Sequence, residues 1–535
     1  MDNVGLCIPI HDRKFVIHNS LKVFKNKSTL LKAAIFATGF SGVVAEYILS
    51  TLAQYFLGNS VFHWVMIISL MLFSMGLGSR ITKNFETRLL KRFLILEFVL
   101  SFIVSFAALL VYTASAYTQS IGILIYSLAI CIGLLIGMEI PLVIRINDDY
   151  EKLRFNISNI LENDYYGSLL GGIFFAFIGL PVFGLIYTPF ILGFVNFSVS
   201  IVVLIFLWDL LKSSERQALI VLGTFVMISL TTGVFVTDPI IKYGEQQKYS
   251  DKVIFAEQTK YQRIVITKWK NDYWLYLNGN EQLCTRDELM YHEPLVHPAM
   301  SLHPNPVNVL VLGGGDGCAV REILKYPKVE KITLVDLDPA MTKLGKTNPI
   351  LTKLNQNSLN NAKVEVLNDD GYKYLLSNDD YYDVIIIDLP DPRGVELGRL
   401  YSHEFYKLCY RHLRPGGVIV TQAGSPYFAT QAFSCILETM KSAGFQTVPM
   451  HNQVITLGEW GWSLGVKQPA DTNVKKQLQN IEFRIPTRWI NKEAMTLITS
   501  FGKDIYPWEK DSVYINRIHE PVLYKYYLKG NWDLY

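Results

Sequence analysis

Aspartates recur in the second half of the chain at positions where a reaction could use them. Asp316 lies inside a glycine run, Gly313-Gly314-Gly315-Asp316-Gly317, and Asp336 and Asp338 flank Leu337. Asp369-Asp370-Gly371 forms a third group, and Asp388 and Asp391 bracket Leu389-Pro390. Each group follows a short apolar run, at Asn308–Leu312, Lys331–Asp336, Lys363–Leu367 and Asp383–Asp388. Glycines at a strand end let the backbone approach a nucleoside closely, which makes Gly313 and Gly315 binding candidates. An acid at the end of the second strand, here Asp336, commonly accepts hydrogen bonds from ribose hydroxyls. Asp370 and Gly371 are placed to meet an adenine edge. Any one of these acids, taken alone, reads equally well as a turn or a strand-end cap. The ordered set points to an adenosine-containing cofactor, S-adenosylmethionine or a derivative. The GxGxxG spacing of a nicotinamide dinucleotide site is absent.

The elements that must position these acids alternate. Beyond the four runs above, Gly417–Thr421 reads as a fifth strand, and helical patterns lie near 319–326, 339–347, 370–376 and 402–413. This order specifies α/β architecture, a doubly wound Rossmann-like sheet of the class I methyltransferase type, with ligands beyond the carboxyl ends of the strands. Ahead of it, residues 252–283 alternate as strands do, and Asn278-Gly279 is a strong hairpin-turn signal. A small antiparallel β-region therefore precedes the main sheet.

The first half of the chain is different in kind. Of the 535 residues half are hydrophobic and only 18% are charged, against roughly 25% in soluble domains. The charge is concentrated outside residues 30–237. Seven apolar runs of span length lie near 32–54, 61–79, 93–113, 120–144, 166–186, 188–209 and 218–237, so a multi-span α-helical membrane domain in a lipid bilayer is expected. Lys and Arg collect at the N-terminal flank, at 80–92, at 145–154 and at 212–216, which puts the N-terminus in the cytoplasm of a plasma-membrane protein. Seven crossings would leave the second half outside. A cofactor made in the cytosol argues instead for a cytoplasmic catalytic half, with 166–186 and 188–209 the pair most open to recounting. Glu46, Glu97, Glu139 and Asp164 fall in or beside the spans. They read first as carboxylates paired or protonated within a bundle, and second as an acidic path for a cation. Gly76–Gly78 and Gly167–Gly172 are expected to allow close helix packing. The N-terminus lacks the pattern of a signal peptide, and a net charge of +3 gives no reason to expect nucleic acid. The six cysteines show neither a disulfide framework nor metal-ligand spacing, so no metal is expected.

The expected organisation is a segment 1–29, a transmembrane domain 30–237, a β-hairpin part 238–304, a Rossmann-like domain 305–468 and an extension 469–535 without a chemical reading. Over about residues 255–465 the chain resembles the spermidine synthase (polyamine aminopropyltransferase) family. The resemblance is carried by YQRIVI (261–266), LNGNEQLCTRDELMYHEPLVHPA (277–299), VLVLGGGDGCAVREILKYPKVEKITLVDLDP (309–339), NDDGYKYL (368–375), YDVIIIDLPDP (382–392) and LYSHEFYKLCYRHLRPGGVIVTQAGSP (400–426). In particular the chain looks like the membrane-fused, multi-span branch of that family. The resemblance implies that Gln262 and Asp336 bind the cofactor nucleoside and that Asp370 and Gly371 hold the adenine side. It further implies that Tyr291, His292 and Asp316 line the aminopropyl and amine channel, that Asp388 accepts the proton, and that Asp391 binds the amine. The co-substrate would be decarboxylated S-adenosylmethionine, the partner a polyamine, and a homo-oligomer is open. The chemistry agrees, because this co-substrate carries a sulfonium and an ammonium but no carboxylate. Asp316, Asp388 and Asp391 would attract it and the polycation, while Asp316 would repel the carboxylate of ordinary S-adenosylmethionine. The sequence departs from the family at Leu389, Pro390 and Val395 and before Gly458, positions around the acceptor amine. The alternatives are a methyltransferase on the same fold, or a polyamine transporter or sensor with a non-catalytic second half. Trp460 and Trp462 read as core.

Overall fold

The computed structural model describes residues 27–57, 60–115, 117–118, 120–468, 473–502 and 513–532. The chain divides into two compact units, the first ending at Ser250 and the second starting at Asp251.

The first unit is helical: α1 Lys27–Leu57, α2 Ser60–Ile81, α3 Leu89–Ala114, α4 Ile121–Asn147, α5 Leu153–Phe174, a π-helical stretch Phe175–Phe183, α6 Gly184–Phe206 and α7 Ser213–Gln247. Among the described residues six stretches are long and apolar enough to cross a membrane, with Leu153–Phe206 counted as one stretch of 54 residues. That stretch is folded back on itself. Helix α5 runs beside α1 in the same direction, Gly167 against Phe36 and Gly171 against Phe40. Helices α1 and α3 are also parallel, with Thr38 bonded to Glu97 and Phe56 packed on Tyr112. Helix α6 runs against α3, Phe190 meeting Phe106 and Phe197 meeting Phe98. The reversal comes after Pro181, which cannot sustain an α-helical ladder, at Gly184 with φ +67°. Helix α4 opposes α1, α2 parallels α4, and α7 parallels α3, as the contacts of Gly42 and Gly122, of Gly133 and Gly137, and of Gly223 and Gly233 establish. The bundle thus makes seven passes that alternate in direction. The pair most open to recounting, 166–186 and 188–209, falls on two helices of the bundle, and the chain leaves the bundle at the end opposite to the one it entered.

Close packing explains most of the glycines. A Cβ at Gly167 would stand 2.0 Å from Phe36 O, and one at Gly78 2.2 Å from Leu134 O. Gly76 differs, with open space around it. The buried acids fit their expected pairing only in part. Glu97 accepts a bond from the Thr38 hydroxyl at 3.1 Å, whereas neither carboxylate oxygen of Glu139 has a hydrogen-bond partner. The outer surface carries large apolar side chains such as Phe62, Phe73, Phe177 and Phe235, all exposed.

The second unit opens with an antiparallel sheet of β1 Lys252–Gln258, β2 Arg263–Trp269, β3 Asp272–Leu277 and β4 Asn280–Cys284. Asn278 and Gly279 both take positive φ, as a two-residue hairpin turn between twisted strands demands. Helix α8, Leu289–Leu302, leads to the main sheet of β5 Asn308–Gly313, β6 Lys331–Val335, β7 Val364–Leu367, β8 Tyr382–Asp388, β9 Leu413–Gly424, β10 Gln446–Val454 and β11 Gly458–Val466. Its order is β10-β11-β9-β8-β5-β6-β7. The five strands read from the sequence form the parallel part. Val309–Leu312 and Val384–Ile387 are fully buried because helices cover both faces. Strands β10 and β11, which the sequence reading did not assign, extend the sheet antiparallel. Trp462 is buried there, as expected of core.

The extension past 468 belongs to the second unit. Val474, Leu478, Ile490 and Met495 join the core on one face of the sheet, and Leu523 and Tyr527 join the other. Glu293, fully buried on α8, fastens it by accepting bonds from the backbone N–H groups of Arg488, Trp489 and Ile490, each at 2.8 Å.

Candidate active site

Strand order reverses at β5, which has β6 on one side and β8 on the other, and the crevice at such a point is where open α/β sheets bind ligands. Gly313 ends β5 in register with Asp388 at the end of β8. The approach is close enough that a Cβ at Gly313 would stand 2.1 Å from Asp388 O. One residue type fits there.

On the β6 side, Asp336 Oδ2 accepts the Gly315 N–H at 3.1 Å, and its Oδ1 accepts the Asp338 N–H at 2.9 Å. Burial is the main cause that pushes the Asp336 carboxyl up to about 6. Gln262, expected beside Asp336, reaches Asp338 instead: its Nε2 donates to Asp338 Oδ2 at 3.0 Å, and Thr259 donates to the same oxygen at 2.8 Å. Asp338 also caps the following helix through the Ala340 N–H. It joins the small sheet to the β5–β6 crevice, a role the sequence reading missed although it noted the Asp-Leu-Asp run. Asp370 caps the helix that begins at Gly371, accepting from Tyr372 and Lys373 at 3.0 Å, and its second oxygen pairs with Arg399. Arg399 had no motif to point to it.

On the β8 side the acids converge. Asp388 Oδ1 accepts a bond from the Tyr291 hydroxyl at 2.8 Å. The Tyr291 ring packs on Trp462, 5.5 Å between centroids. His292 Nδ1 donates to Glu288 Oε2 at 2.8 Å, and its Nε2 faces Asp316 Oδ1 at 4.0 Å. Glu288 is gripped in turn by Arg321 through two bonds of 2.9 Å. Burial opposes charge on His292, but the Glu288 bond and the surrounding carboxylates outweigh it and hold the imidazole up to about 9. Burial, helped by Asp316, raises Asp388 to about 6, while His292 and Tyr291 act the other way. Asp388 is therefore an ionised but basic carboxylate near neutral pH, beside a protonated histidine. His292, Asp316 and Asp388 could by distance alone group around a metal ion. The two aspartates leave the cluster with net negative charge, which suits a cationic substrate between them.

Asp391 lies farther along the same loop. Gln422 Nε2 approaches its Oδ1 at 3.5 Å, and Arg393 stands 3.7 Å from Oδ2. Tyr527, from the C-terminal extension, donates its hydroxyl to Oδ2 at 2.5 Å. Burial raises the Asp391 carboxyl. The structure thus gathers Tyr291, His292, Asp316 and Asp388 in one cluster. Asp391 stands next to it in chain and site, and Gln262, Gly315, Asp336 and Asp338 form a second cluster.

Comparison with known proteins gives a consistent picture. The profile of the spermine/spermidine synthase domain matches residues 288–477. The chain is 39% identical over 503 residues to polyamine aminopropyltransferase 2 of Aquifex aeolicus (strain VF5), covering 94% of this chain and 99% of that one. It is 38% identical over 503 residues to the polyamine aminopropyltransferase of Leptospira interrogans, covering 93% and 98%. A crystal structure of spermidine synthase in complex with the transition-state analogue AdoDATO is 28% identical, with 47% of this chain and 86% of that chain covered at a TM-score of 0.43.

Proposed function

This chain belongs to the polyamine aminopropyltransferase family, and on that premise we propose how its residues divide the work. The enzyme transfers the aminopropyl group of decarboxylated S-adenosylmethionine to a di- or polyamine, releasing 5′-methylthioadenosine. The glycine turn with Asp336, braced by Gln262 through Asp338, receives the nucleoside. Asp370 and Gly371 border the adenine. Asp316 faces the aminopropyl ammonium, and Asp391 binds the far ammonium of the acceptor.

Asp388 is the base. The acceptor nitrogen attacks the methylene next to the sulfonium, and the new C–N bond forms as the C–S bond breaks. The electron pair of that bond goes to sulfur, which becomes a neutral thioether, and the nitrogen's proton goes to Asp388 Oδ2, since Oδ1 is engaged by Tyr291. A carboxylate raised to about 6 is well matched to that step. Much of the rate comes from holding two partners in line. Protonated His292 keeps Asp388 ionised and balances the site's negative charge.

The observation that carries this reading is the Tyr291–Asp388–His292–Asp316 cluster at the β5–β8 crevice. Asp388→Asn in detergent-purified protein should lower 5′-methylthioadenosine release by roughly 10²–10⁴-fold, the usual worth of a general base. Release at the parental rate would remove Asp388 from the chemistry. No release from the parent protein with any amine, despite cofactor binding, would move the weight to a sensor or transporter.

The first unit acts, in this reading, as a multi-span anchor in a lipid bilayer. Its support is an apolar exterior around seven alternating passes, with basic residues gathered at one end. If that end faces the cytoplasm, as positive loops usually do, residue 248 emerges on the other face. The directions of the helices thus favour an external catalytic unit over a cytoplasmic one.

A further inference from the structure

The extension 513–532 lies outside the matched domain, yet it reaches the acceptor end of the site. Asn516 fixes it there. Its side-chain amide donates to Gly398 O at 2.8 Å and to Tyr401 O at 3.2 Å, and its Oδ1 accepts from the Val522 and Leu523 N–H groups. The short helix that follows, Leu523–Leu528, carries Tyr527. Tyr527 is only 3% exposed, with its hydroxyl on Asp391 Oδ2 and its ring against Gly424 at the end of β9. Trp532 backs the ring at 4.7 Å between centroids and bonds the Tyr527 carbonyl through its indole N–H at 2.8 Å. The ring is therefore a braced wall and not a mobile tip.

We propose that Tyr527 is the specificity-determining residue for the acceptor: its ring closes the far end of the amine path and limits the length of diamine that Asp388 and Asp391 can hold together. This rests on Asp388 as base and Asp391 as amine anchor. The acceptor nitrogen is fixed at Asp388 by the chemistry, so chain length is read at the other end, beyond Asp391, where Tyr527 stands. The second oxygen of Asp391 is already taken by the phenol and faced by Arg393, whose guanidinium also lies 5.6 Å over the Tyr527 ring. A further ammonium beyond Asp391 would meet that cation and the wall. Tyr527 acts through volume and through Asp391, so it is a positioning residue.

The test uses the full chain in detergent, with 5′-methylthioadenosine release measured over α,ω-diamines from propane to hexane. KM and kcat are taken for each diamine, and KM for the donor. Tyr527→Phe keeps the ring and should keep the parental ranking of diamines. Tyr527→Ala and Tyr527→Leu should move the best kcat/KM to a diamine at least one methylene longer, with a severalfold change in acceptor KM and little change in donor KM. An unchanged ranking in both small-residue variants would overturn the inference, as would a parallel loss of donor and acceptor affinity, which marks general damage. Amine-dependent release that Asp388→Asn abolishes, together with an unchanged ranking, sinks this inference alone. No release from the parent protein with any diamine sinks the underlying reading as well.

Discussion

His292 shows how much a single side chain depends on its partners. Without Glu288 its burial would leave the imidazole neutral, since desolvation disfavours the charged form. With Glu288, itself held by Arg321, it stays protonated to about 9. The pH profile of kcat/KM should therefore rise through about 6 as Asp388 loses its proton and fall near 9 as His292 loses its own. In Glu288→Gln the alkaline limb should move toward the free-imidazole value of 6.5, and the acid limb should rise as His292 no longer holds Asp388 down. A profile with both limbs unmoved would separate His292 from the site. Stability carries the opposite sign to activity. Asp388 titrates higher in the folded state than its free value of 3.8, so its burial costs stability that is absent below that value and fully felt above about 6. Asp388→Asn should stabilise the second unit at pH 7.5 by on the order of 3 kcal/mol, read as a higher unfolding midpoint in an inactive protein. The aspartates were legible in the sequence because each stands at a strand end, where chemistry and turn formation both favour it. Glu288 and Arg321 were not, because nothing local distinguishes a charged residue in or beside a helix that folds inward from one that faces water, and Arg399, exposed at the surface, meets Asp370 only through the fold.

Among the elements, the parallel strands were readable from their continuous apolar runs, and the hairpin from Asn278-Gly279. Strands β10 and β11 were not assigned, because His451, Asn452 and Gln453 interrupt one run and glycines at 458, 461 and 465 thin the other. Only pairing along the full length of both makes them strands. The extension was opaque for a related reason. It is fastened by Glu293, far away in sequence, which accepts three backbone N–H groups of residues 488–490. Glu293→Ala should cost about 2–4 kcal/mol in chemical denaturation, and Glu293→Gln less, since the amide oxygen can still accept. Equal stability of all three proteins would show that the extension docks without it. In the first unit, Gly171→Ala would put a methyl 2.4 Å from Phe40 O. It should weaken the α1–α5 pairing and lower the thermal midpoint in detergent, whereas Gly76→Ala, in open space, should not.

At the scale of the whole molecule, the odd number of passes is the property with the widest reach. The sequence offered seven candidates and a chemical reason to discount one. The fold-back at Gly184 keeps both members of the disputed pair, because Pro181 and the π-helical stretch give the chain a place to reverse. Single cysteines at exposed positions of the basic turn, such as Glu86, and of the second unit, such as Asp379, test the consequence in sealed right-side-out vesicles. A membrane-impermeant thiol reagent should reach the second and not the first. Labelling of neither would return the catalytic unit to the cytoplasmic side and would require one pass to lie outside the bilayer.

The docking of Tyr527 also bears on the order in which the protein comes into being. Translation delivers the helical bundle first, then the nucleoside crevice, then Asp388 and Asp391, and only afterwards the segment that walls the amine path. A nascent chain halted before residue 513 would hold the base and both clusters of acids but no boundary beyond Asp391. Selectivity for the acceptor would then be acquired last, after the chemical groups themselves are in place.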